Sequence, residues 1–142
     1  MSFDDTDKVT IPHRADTTFV MLHGCNRPHD DALTIFGVQA EAHGLTASIW
    51  IETIHGDGLD EFVRRLDDDF RGWPGERIWT SSRKDLEVRA RHLGAWIRLS
   101  WILRFPEPTV EQPDWETTIH LHVNPGEELR DLSGRITAFL RP

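Results

Sequence analysis

Two consecutive runs decide most of what this chain can become. Residues 85–92, DLEVRARH, alternate strictly between polar and apolar side chains, and after Leu93-Gly94 residues 95–105, AWIRLSWILRF, alternate again. Only an extended backbone gathers a period-two pattern onto one face. Leu86, Val88 and Ala90 then share an inward face with Ile97, Leu99, Trp101 and Leu103. Trp96, Arg98, Ser100, Ile102 and Arg104 share the outward one. A link this short joins two strands only as an antiparallel hairpin, which fixes the sheet type.

The rest of the chain extends the pattern. LTIFGVQAEA (33–42) and LTASIWIETI (45–54) flank His43-Gly44 and read as a second hairpin. In its second strand Leu45, Ala47, Ile49 and Ile51 face inward, while Thr46, Ser48, Trp50 and Glu52 face outward. VTIPH reads as a short edge strand ended by Pro12, TTFVMLH (17–23) as a strand and GCNRPHDDA (24–32) as a loop. RIWTS (77–81) is a short strand, and the proline-rich 106–114 a loop. WETTIHLHV (115–123) turns Trp115, Ile119, Leu121 and Val123 inward and Glu116, Thr118, His120 and His122 outward.

Two segments switch to a helical period. In GDGLDEFVRRLDDDF, Asp57 is placed to cap a helix whose stripe is Leu59, Phe62, Val63, Leu66 and Phe70. In NPGEELRDLSGRITAFL, Asn124 is the expected N-cap, Pro125 the first helical residue and Glu127 the N3 residue. Leu129, Leu132, Ile136 and Phe139 form its stripe, and close packing would account for Gly134. The expected class is α+β: one antiparallel sheet of about six to eight strands with two amphipathic helices on one face. Residues 1–142 form a single domain, with 1–16 loosely ordered.

Composition narrows the function. The chain carries a net charge of −8, with arginines scattered among acids. This argues against nucleic acid and for a basic protein as partner. The single cysteine, Cys25, fits a reducing compartment. With no membrane-length apolar run and no signal-like start, the expected location is cytoplasmic, with no membrane contact.

Motifs for common catalysis are missing: no phosphate loop, nucleophile elbow or paired C-x-x-C is present, and no cofactor is expected. His23, Cys25 and His29 are metal-capable residue types, but their spacing matches no standard zinc site. His120 and His122 stand two apart on one strand, so both rings face the same way. Asp67, Asp68 and Asp69 close a helix where negative charge opposes its dipole, with Arg64 and Arg65 as partial compensation.

Six tryptophans are many for this length. Trp50 and Trp96, with Arg98, Ile102, His120 and His122, define a candidate binding face on the outward side of the sheet, because aromatics and arginine dominate binding hot spots. A second candidate is the corner GWPGERIWTS (72–81), which offers Trp73 or Arg77 to a partner or simply turns a helix into a strand. Arg77 is within reach of the acidic helix end.

From GDGLDEFVRRL through GWPGERIWTSSRKDLEVRARH to WIRLSWILRF and NPGEELRDL, the chain resembles the actinobacterial domain-of-unknown-function family 6228 over about residues 45–140. The resemblance implies a fold and no activity. The outline is also similar to small acidic bacterial immunity proteins that bind and neutralise toxins. The expected function is a non-enzymatic protein-binding module of that kind. The alternative is a metal-dependent or small-ligand-binding protein, using the His/Cys cluster or a pocket between sheet and helices.

Overall fold

The computed structural model describes residues 8–12, 17–29, 32–108 and 112–141. The expected loose order of 1–16 falls mostly outside them. Eight strands appear in chain order: β1 (Lys8–Ile11), β2 (Phe19–Asn26), β3 (Leu33–Ala42), β4 (Leu45–Ile54), β5 (Glu76–Thr80), β6 (Leu86–His92), β7 (Ile97–Phe105) and β8 (Trp115–Val123). Helix α1 (Leu59–Asp68) lies between β4 and β5, and α2 (Glu127–Leu140) closes the chain.

The protein is α+β, but the strands form two antiparallel sheets of four, β1–β4 and β5–β8, rather than one. Each is a meander in which sequence neighbours pair. The division falls where the 3-10 turn His55–Gly58 and α1 separate β4 from β5. Alternation tells a strand which side is inward, and not which distant strand it joins.

The sheets approach each other where β4 passes β7, and where β2 and β3 pass β8. The helices pack on one another, and α2 also on β1. One core joins all of them, with Leu22, Phe36 and Ile51 from the first sheet, Leu86, Leu99 and Trp101 from the second, and Leu66 and Leu129 from the helices. Phe36 and Phe139 meet edge to face at 5.7 Å, tying α2 to β3.

Local signals moved in several places. Strand β2 runs on through Gly24, Cys25 and Asn26, with a register shift between His23 and Asn26, where a loop was expected. Asp57 does not cap α1: Gly58 holds that position, and Asp57 itself sits at φ 54°. Its carboxylate accepts from the Ile54 N–H and from the Ser82 N–H, each at 2.8 Å. Its carbonyl accepts from Trp79 Nε1 at 2.8 Å. One residue thus ties the helix entry to β5 and to the β5–β6 turn.

Phe70 lies beyond the end of α1 and is exposed, so the buried stripe is Leu59, Val63 and Leu66. Helix α2 begins at Glu127, with Gly126 at the cap, and the Asn124 side chain accepts from the Gly126 N–H at 2.7 Å. A Cβ on Gly134 would meet nothing within 4 Å, so close packing does not explain that glycine. Trp115 is half-buried at the core margin, stacked on Phe105.

Candidate functional site

The outward face of β5–β8 follows from strand parity. The register lines up Glu76, Arg91, Arg98 and His122 in one row across the four strands, and Ile78, Arg89, Ser100 and His120 in the next. Thr80, Glu87, Ile102 and Thr118 follow, and then Arg104 opposite Glu116. Trp96 precedes β7 in the β6–β7 connection, 50% exposed.

One end of this face is internally satisfied. Glu87 is buried and receives Arg89 on one side and Arg104 Nη2 at 3.1 Å on the other. Arg104 Nε donates to Glu116 Oε2 at 2.9 Å. The opposite end is not. Arg98 Nε donates to His122 Nε2 at 3.3 Å, and Ser100 shares a hydrogen bond with His120 Nδ1 at 2.8 Å. Among the described residues neither Arg91 nor Arg98 forms an ion pair, although they stand directly opposite each other. Directly opposed like charges destabilise a sheet. Accepting from Arg98 requires an unprotonated His122 Nε2.

The structure brings Trp96, Arg98, His120 and His122 together and separates two expected members. Trp50 belongs to β4 in the other sheet, where it packs edge to face on His23 at 5.1 Å and lies over Gly24. Ile102 is only 5% exposed, although its parity is outward. It lies on the interior strand β7 between Glu87 and Thr118, where neighbours on both sides shield it. Arg89 and Arg91 were missed, although the inward assignment of Leu86, Val88 and Ala90 already placed them on this face.

The 72–81 corner is a packed corner. Trp73 is 8% exposed and its Nε1 donates to the Ala90 carbonyl at 3.2 Å, so it is not presented to a partner. Arg77 reaches Asp69 Oδ2 at 2.8 Å and lies 4.9 Å from the Trp73 ring centre. A cleft of about 530 Å³ opens beside it, lined by Phe62, Arg65, Asp68, Asp69, Arg77 and Ile78.

The described residues contain no group of three His, Cys, Asp or Glu side chains placed to hold a metal ion, so His23, Cys25 and His29 are not assembled into one. The His23 ring covers Gly37, where a Cβ would lie 2.4 Å from its Cε1. Burial pushes the Cys25 thiol up from its ordinary pKa, against the opposing pull of Arg27, which disfavours the thiolate that a nucleophile or zinc ligand needs. Among the described residues no helix is long and apolar enough to cross a membrane.

No curated protein and no solved structure matches the chain significantly. A family model does, over residues 11–142, which adds most of the N-terminal third to the stretch that carried the resemblance. Strands β2–β8, both helices, the corner between α1 and β5 and the face built on β7 all lie within that match, and the chain belongs to the family of unknown function DUF6228.

Proposed function

We propose that this chain is a non-enzymatic, cytoplasmic protein-binding module of immunity type, which holds and neutralises a partner protein through the outward face of β5–β8. The observation that carries the reading is Trp96, half-exposed at the head of β7 beside Arg98, which stands between Arg91 and His122 with no acid across from it on either neighbouring strand. An exposed indole and like charges in register both cost stability in the free protein. A partner relieves both costs at once, by covering the indole and supplying carboxylate or carbonyl acceptors to Arg91 and Arg98.

The net charge of −8 adds a separate expectation. It steers a basic protein towards the chain at long range. The contact itself is more mixed, because acids gather on α1 and arginines on the sheet face. A basic partner with a few acidic contact residues satisfies both.

The test is site-specific crosslinking in the native host. A photo-reactive phenylalanine analogue replaces Trp96 in one version and Trp50 in another. A discrete crosslinked protein from position 96, absent from position 50, is the expected result. Equal yields from both positions, or no adduct from 96, would remove this face as the site.

A further inference from the structure

The geometry points to a second, different contact: the free edge of β5 accepts a basic, extended polypeptide segment as a fifth strand, seated in the groove between β5 and α1. It shares with the proposed function the premise that the ligand is a polypeptide, and it uses none of that reading's anchor residues Trp96, Arg91 and Arg98.

Strand β5 is the outermost of its sheet and pairs with β6 alone. The Ser81 N–H donates to the Leu86 carbonyl at 2.8 Å, one step beyond the Thr80–Glu87 register pair. Ser81–Leu86 is therefore a hydrogen-bonded pair, and such pairs alternate along an antiparallel ladder. Trp79–Val88 and Arg77–Ala90 are the next ones. The N–H and C=O groups of Glu76, Ile78 and Thr80 consequently point away from β6. Among the described residues no partner meets them. Such a row is the template for strand addition.

The edge carries side-chain features that suit a ligand strand. Ile78 is 54% exposed on the outward face, while Arg77 faces the other way, and both line the same cleft, so the cleft straddles the strand edge. A second cleft of about 270 Å³ shares Phe62 and Arg65 and runs on to Asp57, Glu61 and Trp79. Together they form a groove along the middle of the strand, Arg77 to Trp79, with apolar footing from Phe62 and Ile78.

Charge selects the occupant. The groove holds four carboxylates, Asp57, Glu61, Asp68 and Asp69, against two guanidiniums, Arg65 and Arg77. Both guanidiniums are already engaged, Arg65 with Glu61 at 2.9 Å and Arg77 with Asp69 at 2.8 Å. Asp68 forms no ion pair among the described residues. A strand bearing lysine or arginine complements this surplus. A second copy of the chain would bring two acidic grooves together, which argues against self-pairing.

Amide hydrogen exchange on the full chain reads the edge directly. In the free protein the Arg77 and Trp79 amides exchange slowly, and those of Ile78 and Thr80 quickly. The probe is a capped seven-residue peptide alternating lysine and valine. At saturation it slows Ile78 and Thr80 by roughly tenfold or more, and its counterpart with glutamate for lysine does not. Ile78→Pro removes one outward N–H without touching the β6 ladder, and weakens the peptide roughly two- to tenfold. Asp68→Lys, an exposed change on α1, weakens it without any backbone effect. The Trp96→Ala/Arg98→Ala variant binds the peptide as the wild type does, so failure of one contact does not imply failure of the other. Unchanged exchange at Ile78 and Thr80, equal binding of the glutamate peptide, or protection in the free protein that rises with protein concentration would each overturn the proposal.

Discussion

Replacing Asp57 by alanine tests how the α1–β5 corner is held. The Asp57 carboxylate accepts two backbone N–H groups from opposite sides of the corner, Ile54 and Ser82. Both donors are exposed, so water replaces much of what is lost, and each bond is worth about 0.5 kcal/mol, the low end of the net range. Asp57 also sits at φ 54°. Aspartate tolerates that region, whereas alanine there costs about 1 kcal/mol more. The sum is about 2 kcal/mol, or a fall of about 6 °C in Tm for a chain of this size. Thermal and urea unfolding of Asp57→Ala, Asp57→Asn and Asp57→Gly separate the two terms. Asparagine keeps one acceptor and the tolerance for positive φ, so it costs about 0.5 kcal/mol. Glycine loses both bonds but not the conformation, and costs no more than alanine. An alanine variant within about 0.5 kcal/mol of wild type, on the scale of a neutral surface change, would refute this account of the corner, as would a glycine variant clearly worse than alanine.

Three further outcomes follow from the same structure. Gly134→Ala should stabilise the protein by about 1 kcal/mol in urea unfolding, because the position is helical and exposed and its Cβ meets nothing. Gly37→Ala should cost about 1–3 kcal/mol and alter tryptophan fluorescence, because its Cβ would displace the His23 ring from Gly37 and disturb the Trp50 contact. Burial raises the pKa of Asp85, with its Ser81 hydrogen bond opposing, so the folded state holds that proton more tightly than the unfolded state does. Asp85 then makes stability fall as pH rises from the ordinary aspartate value through the raised folded one. Asp85→Asn keeps an acceptor for Ser81, and its stability relative to wild type should increase across that window in pH-dependent urea titrations.

Local structure was largely legible in the sequence, and assembly was not. Residues 86–92 and 97–105 announce their strands and hairpin because period-two alternation has no helical equivalent. The stripes Leu59, Val63, Leu66 and Leu129, Leu132, Ile136 announce both helices for the matching reason. Sheet membership carries no such local signature. Trp50 and Trp96 read alike as outward aromatics, yet they stand on different sheets, because the chain between β4 and β5 folds into a turn and a helix. Ile102 reads as outward and is buried, because shielding depends on the strands either side of β7. Trp73 lies in a turn, where no periodicity exists to assign a face, and only its bond to Ala90 settles its direction. The free edge of β5 was hidden for the reason that hid the second sheet: a strand's lack of a second neighbour is a fact of tertiary structure.

The central claim is that Trp96 and Arg98 anchor a protein partner. The direct measurement compares what co-purifies from the native host with wild type, with Trp96→Ala/Arg98→Ala and with Trp50→Ala, by quantitative mass spectrometry on baits matched for fold by circular dichroism. Hot-spot truncations cost about 2 kcal/mol or more each, so the double variant should lose a wild-type partner by roughly a thousandfold in affinity, to below detection. The account predicts one stoichiometric protein with the wild type and with Trp50→Ala, and none with the double variant. The same protein recovered equally on all three baits would contradict it.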